Sequence, residues 1–232
     1  MFRYIFRKIR SSYLKKENER ALREARSGKD NSAPLLPDLD RNLEAVKSIL
    51  RDSSDVTFHE FNFGHDRRYR AALVFINSMT DKEEIHKNIL QPLMFGSLLL
   101  SSDADMDFTQ IDSIRKNLIS ITENQKVSLL NDLVDNLLTG AAILLIDGSK
   151  EALAVKSRKR ETRSVDEPAT EAVVRGPREG FIEDVNVNIA LIRRKIKVPD
   201  LCVEKLVIGE KSKTDVYIVY VKSVADPKLI EE

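Results

Sequence analysis

The residue types that could do chemistry in this 232-residue chain fall in four places. Gly209-Glu210-Lys211-Ser212 has the ending of a phosphate-binding loop, in which backbone N–H groups and a lysine hold phosphate oxygens. The first glycine of that motif is absent, and the stretch joins two strand-like runs where the mechanism needs a strand followed by a helix. His59-Glu60 is separated from His65 by Phe61-Asn62-Phe63-Gly64, which is not the i,i+4 histidine pair of a zinc protease helix. His59, His65, His86 and Cys202 show no metal-ligand spacing. Asp103, Asp105 and Asp107 alternate like the opening of a calcium loop, without its glycine at the sixth position or its closing glutamate. No Ser or Cys has a recognisable base partner. The expectation is a protein with no catalytic residues, no metal and no cofactor.

The particular chemistry lies instead in Arg175 to Ile208. Arg175-Gly176-Pro177 marks a turn. A helix follows, with Ile182, Val185, Ile189, Ile192 and Ile196 at three- and four-residue steps, an apolar face worth about 1.5–3 kcal/mol per buried side chain. Glu183 and Asp184 fall in its first turn and Arg193, Arg194 and Lys195 in its last, as the helix dipole favours. Pro199 ends it, and strands follow at Leu201 to Ile208 and Thr214 to Val221. Packing alone does not require Arg178-Glu179-Gly180-Phe181, Asn188, Leu191-Ile192-Arg193-Arg194, or Ile208-Gly209 with Ser212 and Thr214.

That set of residues, from about Val174 to Val221, resembles the signature of the A subunits of bacterial spore germinant receptors, the GerA family. Lys195 stands where the family commonly has a third arginine, and Val198 precedes Pro199. The residues before Val174 fit the family's variable N-terminal region in length and character, without a motif. The resemblance singles out Arg178, Glu179, Gly180, Phe181, Asn188, Arg193, Arg194, Lys195 and Gly209 as a site of assembly or coupling.

Composition bounds the rest. Hydrophobic residues make up 42% and charged residues 32%, enough for a core and for a well-solvated surface. The formal net charge of +1 gives no global field to draw nucleic acid. One cysteine, Cys202, excludes an internal disulfide framework. The longest clean apolar run, Ala141 to Ile146, is far short of the roughly 20 residues that span a bilayer, and no signal-peptide core follows the basic N-terminus. The sequence reads as soluble.

In chain order, residues 1–33 form a basic N-terminal segment. Phe2, Ile5, Phe6, Ile9 and Tyr13 share one helical face, with Arg3, Arg7, Lys8, Arg10, Lys15 and Lys16 around it. This suits a helix on a membrane surface, and equally a free arm or a helix docked on its own domain. Phe2, Arg3, Ile5, Phe6, Arg7, Lys8 and Arg10 are the candidate membrane contacts. Residues 34–157 read as a first α/β unit. Its helices are Asp38–Leu50, Glu83–Leu93, Ile111–Ile121 and Val127–Leu138, the last capped by Gly140. Its strands are Val56–Phe63 and Ala71–Ile76, then a hairpin of Ala141–Ile146 and Ala152–Val155 turning tightly at Asp147-Gly148. Ser101–Asp107 is an acidic loop. Residues 158–170 are a charged linker. Residues 171–225 make a second α/β unit with a short strand near Ala172–Val174, the motif helix and two strands. Residues 226–232 start a helix, with Asp226 as N-cap and Pro227 behind it. The expected fold is therefore α/β in the α+β sense: two small mixed-sheet subdomains behind a basic amphipathic helix.

Three functions remain open from the residues: a receptor domain, an enzyme with a site assembled from distant residues, or a nucleic-acid-binding module using the Arg193–Lys197 cluster and the basic linker. Against the last, aromatic residues are only 6% and do not interleave with the basic ones. The resemblance favours the first, the N-terminal domain of a nutrient germinant receptor A subunit. It implies placement on the cytoplasmic, core side of the spore inner membrane, with a multi-span membrane domain following residue 232. It also implies B and C subunits and other A subunits as partners, no nucleic acid, and work in assembly and signal coupling, with a small-molecule nutrient as the stimulus and a cleft between the subdomains as a candidate place for it to bind.

Overall fold

The computed structural model describes residues 33–51, 53–97, 107–119, 123–157 and 180–231. The N-terminal segment, most of the acidic loop, the linker, the expected strand at Ala172–Val174, and Arg178 and Glu179 lie outside them.

Helix α1, Leu39–Leu50, starts where Asp38 accepts a hydrogen bond from the Arg41 N–H at 3.0 Å, and it buries Leu39, Leu43, Val46 and Leu50. Strands β1, Val56–Phe63, and β2, Tyr69–Ile76, follow as an antiparallel pair. A short helix, α2, Lys82–Ile85, widens into π turns over His86–Leu90 and Pro92–Gly96. The sequence predicts a regular helix here, and two facts explain the difference. Pro92 has no N–H for the regular ladder, and the buried residues Ile85, Ile89, Leu93 and Ser97 recur every four positions, a period that wider turns keep on one face. After α3, Ile111–Asn117, comes β3, Asn124–Val127, then α4, Leu130–Leu138. Here the expectation is corrected twice: Ile111's helix stops at Asn117, and Val127 is not the start of a helix but the end of an edge strand paired to β5. Strands β4, Ala141–Ile146, and β5, Ala152–Lys156, form the expected hairpin. Its connection is the longer Asp147–Glu151 rather than a two-residue turn, with Gly148 at φ 84°.

The sheet runs β1-β2-β4-β5-β3, and every described ladder is antiparallel. Alternation along the strands splits the core in two. Ala72, Val74, Ile76, Ile143, Leu145, Ala152 and Ala154 meet α1 and α4 on one face. Ala71, Leu73, Phe75, Ala142, Leu144, Ile146, Leu153 and Val155 meet α2, α3 and their flanks on the other. Because both faces are covered, β2 and β4 read as unbroken apolar runs. The α/β class expected from the sequence is what forms.

The chain then enters α5, Val185–Lys195, a separate two-stranded ladder of β6, Leu201–Ile208, and β7, Thr214–Val221, and α6, Pro227–Glu231. At α6, Asp226 caps as expected, accepting from the Lys228 N–H at 3.0 Å.

Candidate functional site

Helix α5 does not bury the aliphatic face that its sequence suggests. Asp184 is the N-cap rather than a first-turn residue, and Ile182, Val185, Ile192 and Ile196 are only half-buried. The residues turned inward are Ile189, Ala190, Leu191 and Arg193. Arg193 is 1% exposed and is the largest fully buried side chain among the described residues. The reason is a counter-charge 138 positions earlier, which the helical pattern could not reveal. Arg193 Nε donates to Asp55 Oδ2 at 2.9 Å and Nη2 to Asp55 Oδ1 at 2.7 Å, a two-pronged geometry only a guanidinium provides. Nη2 also donates to Ser53 Oγ at 2.9 Å.

Ser53 is the hub of this joint. Its hydroxyl donates to Asp55 Oδ1 at 2.9 Å while accepting from Arg193 and from the Val203 N–H at 2.8 Å. The Ser54 N–H and hydroxyl both donate to the Val203 carbonyl, at 2.8 and 2.6 Å. Arg51 reaches Asp200 at 3.5 Å. Residues 51–55, which lead into β1, therefore hold both α5 and the base of β6. The same end of the sheet carries three buried polar atoms with no hydrogen-bond partner among the described residues: Arg193 Nη1, Ser78 Oγ and Ser157 Oγ. Each costs free energy while it stays dry.

The other motif residues are dispersed around α5 and the hairpin. Asn188 clamps the chain ahead of the helix: its Oδ1 accepts from the Ile182 N–H at 2.8 Å and its Nδ2 donates to the Ile182 carbonyl at 2.7 Å. Gly180 is half-buried, Phe181 is 70% exposed, Arg194 is half-buried and Lys195 exposed. Gly209 opens the β6–β7 turn at φ 88°, a left-handed conformation that favours glycine. So the structure brings Arg193 to the first unit, gives Asn188 and Gly209 local tasks, and leaves Phe181 on the surface. Sequence reasoning missed Asp55 and Ser53; an aspartate ahead of a strand was the only trace of them.

His59 is exposed and stacked on Phe61 with ring centroids 5.7 Å apart, and His65 and His86 are exposed elsewhere. Cys202 is buried, which pushes its thiol pKa up. Among the described residues no three His, Cys, Asp or Glu are grouped to hold a metal, and no helix is long and apolar enough to cross a membrane.

A sequence profile of the family described as "Bacillus/Clostridium GerA spore germination protein" matches residues 44–232. The chain belongs to the GerA family. Among its relatives, spore germination protein KA of Bacillus subtilis is 30% identical over 204 residues, covering 88% of this chain and 36% of that protein. Spore germination protein GerLA of Bacillus cereus is 31% identical over 201 residues, covering 85% and 39%. A B. subtilis relative described as "uncharacterized membrane protein YfkQ" is 30% identical over 93% of this chain and 40% of its own length. The chain thus spans well under half the length of these relatives. The crystal structure of the N-terminal domain of the A subunit of the Bacillus megaterium spore germinant receptor GerK3 matches with a TM-score of 0.68 at 27% identity, over 87% of this chain and 71% of that one. The α/β fold described above is that domain's fold.

Proposed function

We propose that this chain is the N-terminal domain of a germinant-receptor A subunit and that it serves receptor assembly and couples the signal to the receptor's membrane part. In this reading it lies on the cytoplasmic, core side of the spore inner membrane, with B and C subunits and other A subunits as partners and a small-molecule nutrient as the stimulus. The role is mechanical, not catalytic. The observation that carries the reading is the Arg193 joint. An arginine of the family signature is spent on locking the motif helix to the sheet, so force on α5 or the hairpin is transmitted to residues 51–55 and β1. The alternative of a nucleic-acid module loses ground by the same observation, because Arg193 is buried away from any phosphate. Spores carrying Arg193→Ala or Asp55→Ala should germinate poorly on the cognate nutrient while responding normally through other receptors. Subunit level, read by immunoblot, must stay at half of wild type or more. Normal germination at that level would sink the coupling role.

Two further parts of this reading have their own tests. We propose that Phe2, Arg3, Ile5, Phe6, Arg7, Lys8 and Arg10 contact anionic lipid, at about 1 kcal/mol per basic residue near the surface. Deleting residues 1–16 should lower co-sedimentation with phosphatidylglycerol vesicles, and equal binding would remove the proposal. We also propose that residues 158–170 link two separable units. Trypsin should cut there first; early cuts within α4 would move the boundary.

A further inference from the structure

Two aspartates stand at matching places, Asp55 directly before β1 and Asp200 directly before β6. Each is met by an arginine from the helix of the other unit. Arg193, in the last turn of α5, reaches back to Asp55. Arg51, the C-terminal cap of α1, reaches forward to Asp200, with Nε 3.5 Å from Oδ1. The two units therefore exchange arginines across their joint.

The two contacts are unequal. The Arg193 contact is dry, and Ser53 and Ser54 tie the same point to Val203. The Arg51 contact lies within reach of solvent, its side chains 48% and 17% exposed, so salt screens it. Its two ends are still placed to pull. The Asp200 carbonyl accepts from the Lys222 N–H at 3.0 Å, which ties Asp200 to the chain leaving β7 as well as to β6. Arg51 has φ 57° and ψ 35°, the left-handed conformation in which helices usually end on glycine. A β-carbon is disfavoured there, so the first unit alone would be better served by glycine. What the arginine side chain meets in the second unit explains its presence. Among the described residues, Ala190 is the one member of α5, β6 or β7 in either core cluster of the sheet. A joint held mainly by polar contacts permits relative motion of its units.

We propose that Arg51 and Asp200 form a latch, and that Arg193, Asp55 and Ser53 form the pivot it works against. With the latch made, the β6–β7 hairpin is held in one orientation on the sheet. With the latch open, α5 and the hairpin swing about residues 53–55 while the buried pair stays intact. Salt opens the latch and leaves the pivot closed. This device belongs to the chain itself and does not depend on the receptor reading.

The test uses the full 232-residue chain with nitroxide labels at two exposed positions, Glu44→Cys on α1 and Lys211→Cys at the hairpin tip; Cys202 is buried and stays in place. Double electron–electron resonance reads the distance between the labels. At low salt the labelled parent should give one narrow distribution. Arg51→Gly and Asp200→Asn should each at least double its width. Raising salt to about 1 M, where screening acts within about 3 Å, should widen the parent to the same extent and leave both variants unchanged. Arg51→Gly suits the cap and keeps the first unit folded; if Asp200→Asn does not fold, Arg51→Gly and the salt series decide. A distribution in Arg51→Gly as narrow as the parent's overturns the latch. So does a parent that is already broad at low salt, or one that high salt does not widen.

Discussion

Removing one partner of the Arg193–Asp55 pair should be among the most damaging single changes available in this molecule. The two side chains are 1% and 4% exposed, so neither water nor salt compensates what is lost. Asp55→Ala strands a guanidinium whose Nε and Nη2 lose their two bonds to the carboxylate, and the Ser53 hydroxyl loses its acceptor as well. Breaking a buried pair in this way costs about 3–5 kcal/mol. For a chain of this size each kcal/mol moves the melting temperature by about 2–4 °C, so a drop on the order of 10 °C is expected. Arg193→Ala should cost about as much. The double variant Asp55→Leu with Arg193→Met, which replaces the pair by apolar groups of similar bulk, should recover most of the loss, since nothing charged is then left dry. Urea denaturation of the four proteins, with unchanged m-values, measures the two losses and the recovery. Single variants costing less than about 1 kcal/mol, or a double variant as damaged as the singles, would refute the account of Arg193 as a buried, paired charge.

Asn188→Ala removes both bonds to Ile182 and should cost about 1–3 kcal/mol in urea melts; a loss under about 0.5 kcal/mol, the size of an ordinary surface change, would count against the clamp. Gly209→Ala puts a side chain at φ 88° and a Cβ 2.3 Å from Ser212 Oγ. Ser212 can rotate away but the backbone cannot, so a loss of about 1–2 kcal/mol should persist in Gly209→Ala/Ser212→Ala, and full rescue by the second change would count against backbone strain. The Tyr220 hydroxyl donates to the Glu204 carboxylate, which pushes the phenol up to about 12. The stabilisation needs the protonated phenol, so it is complete below pH 10 and lost as pH rises towards 12. Absorbance titration at 295 nm should show one late tyrosine that moves earlier in Glu204→Gln; no movement would sever the link.

Much of the architecture is legible in the sequence because local signals agree with the final packing. Asp38 announces α1, the unbroken runs of β2 and β4 announce strands covered on both faces, and the bounds of β6 and β7 follow from Pro199 and Gly209. What is not legible depends on distant partners. Strand β3, Asn124-Gln125-Lys126-Val127, has no apolar alternation and exists because β5 offers it an edge. The inward face of α5 is set by Asp55, so a pattern of isoleucines points the wrong way and Arg193 reads as an ordinary charge at a helix end. The family signature is readable as a signature, but Arg193 owes its buried place to an aspartate outside it.

The distance between those partners has a consequence during synthesis. Arg193 leaves the ribosome 138 residues after Asp55, which at about 5–20 residues per second is a delay of roughly 7–30 s. Strands β1 to β5 and all of the two core faces except Ala190 are in the nascent chain before then. The carboxylate of Asp55 must therefore spend that interval hydrated at the end of an otherwise finished sheet, and it loses its water only when α5 arrives. A nascent chain halted after residue 157 should accordingly present a folded sheet whose Asp55 carboxylate is open to water.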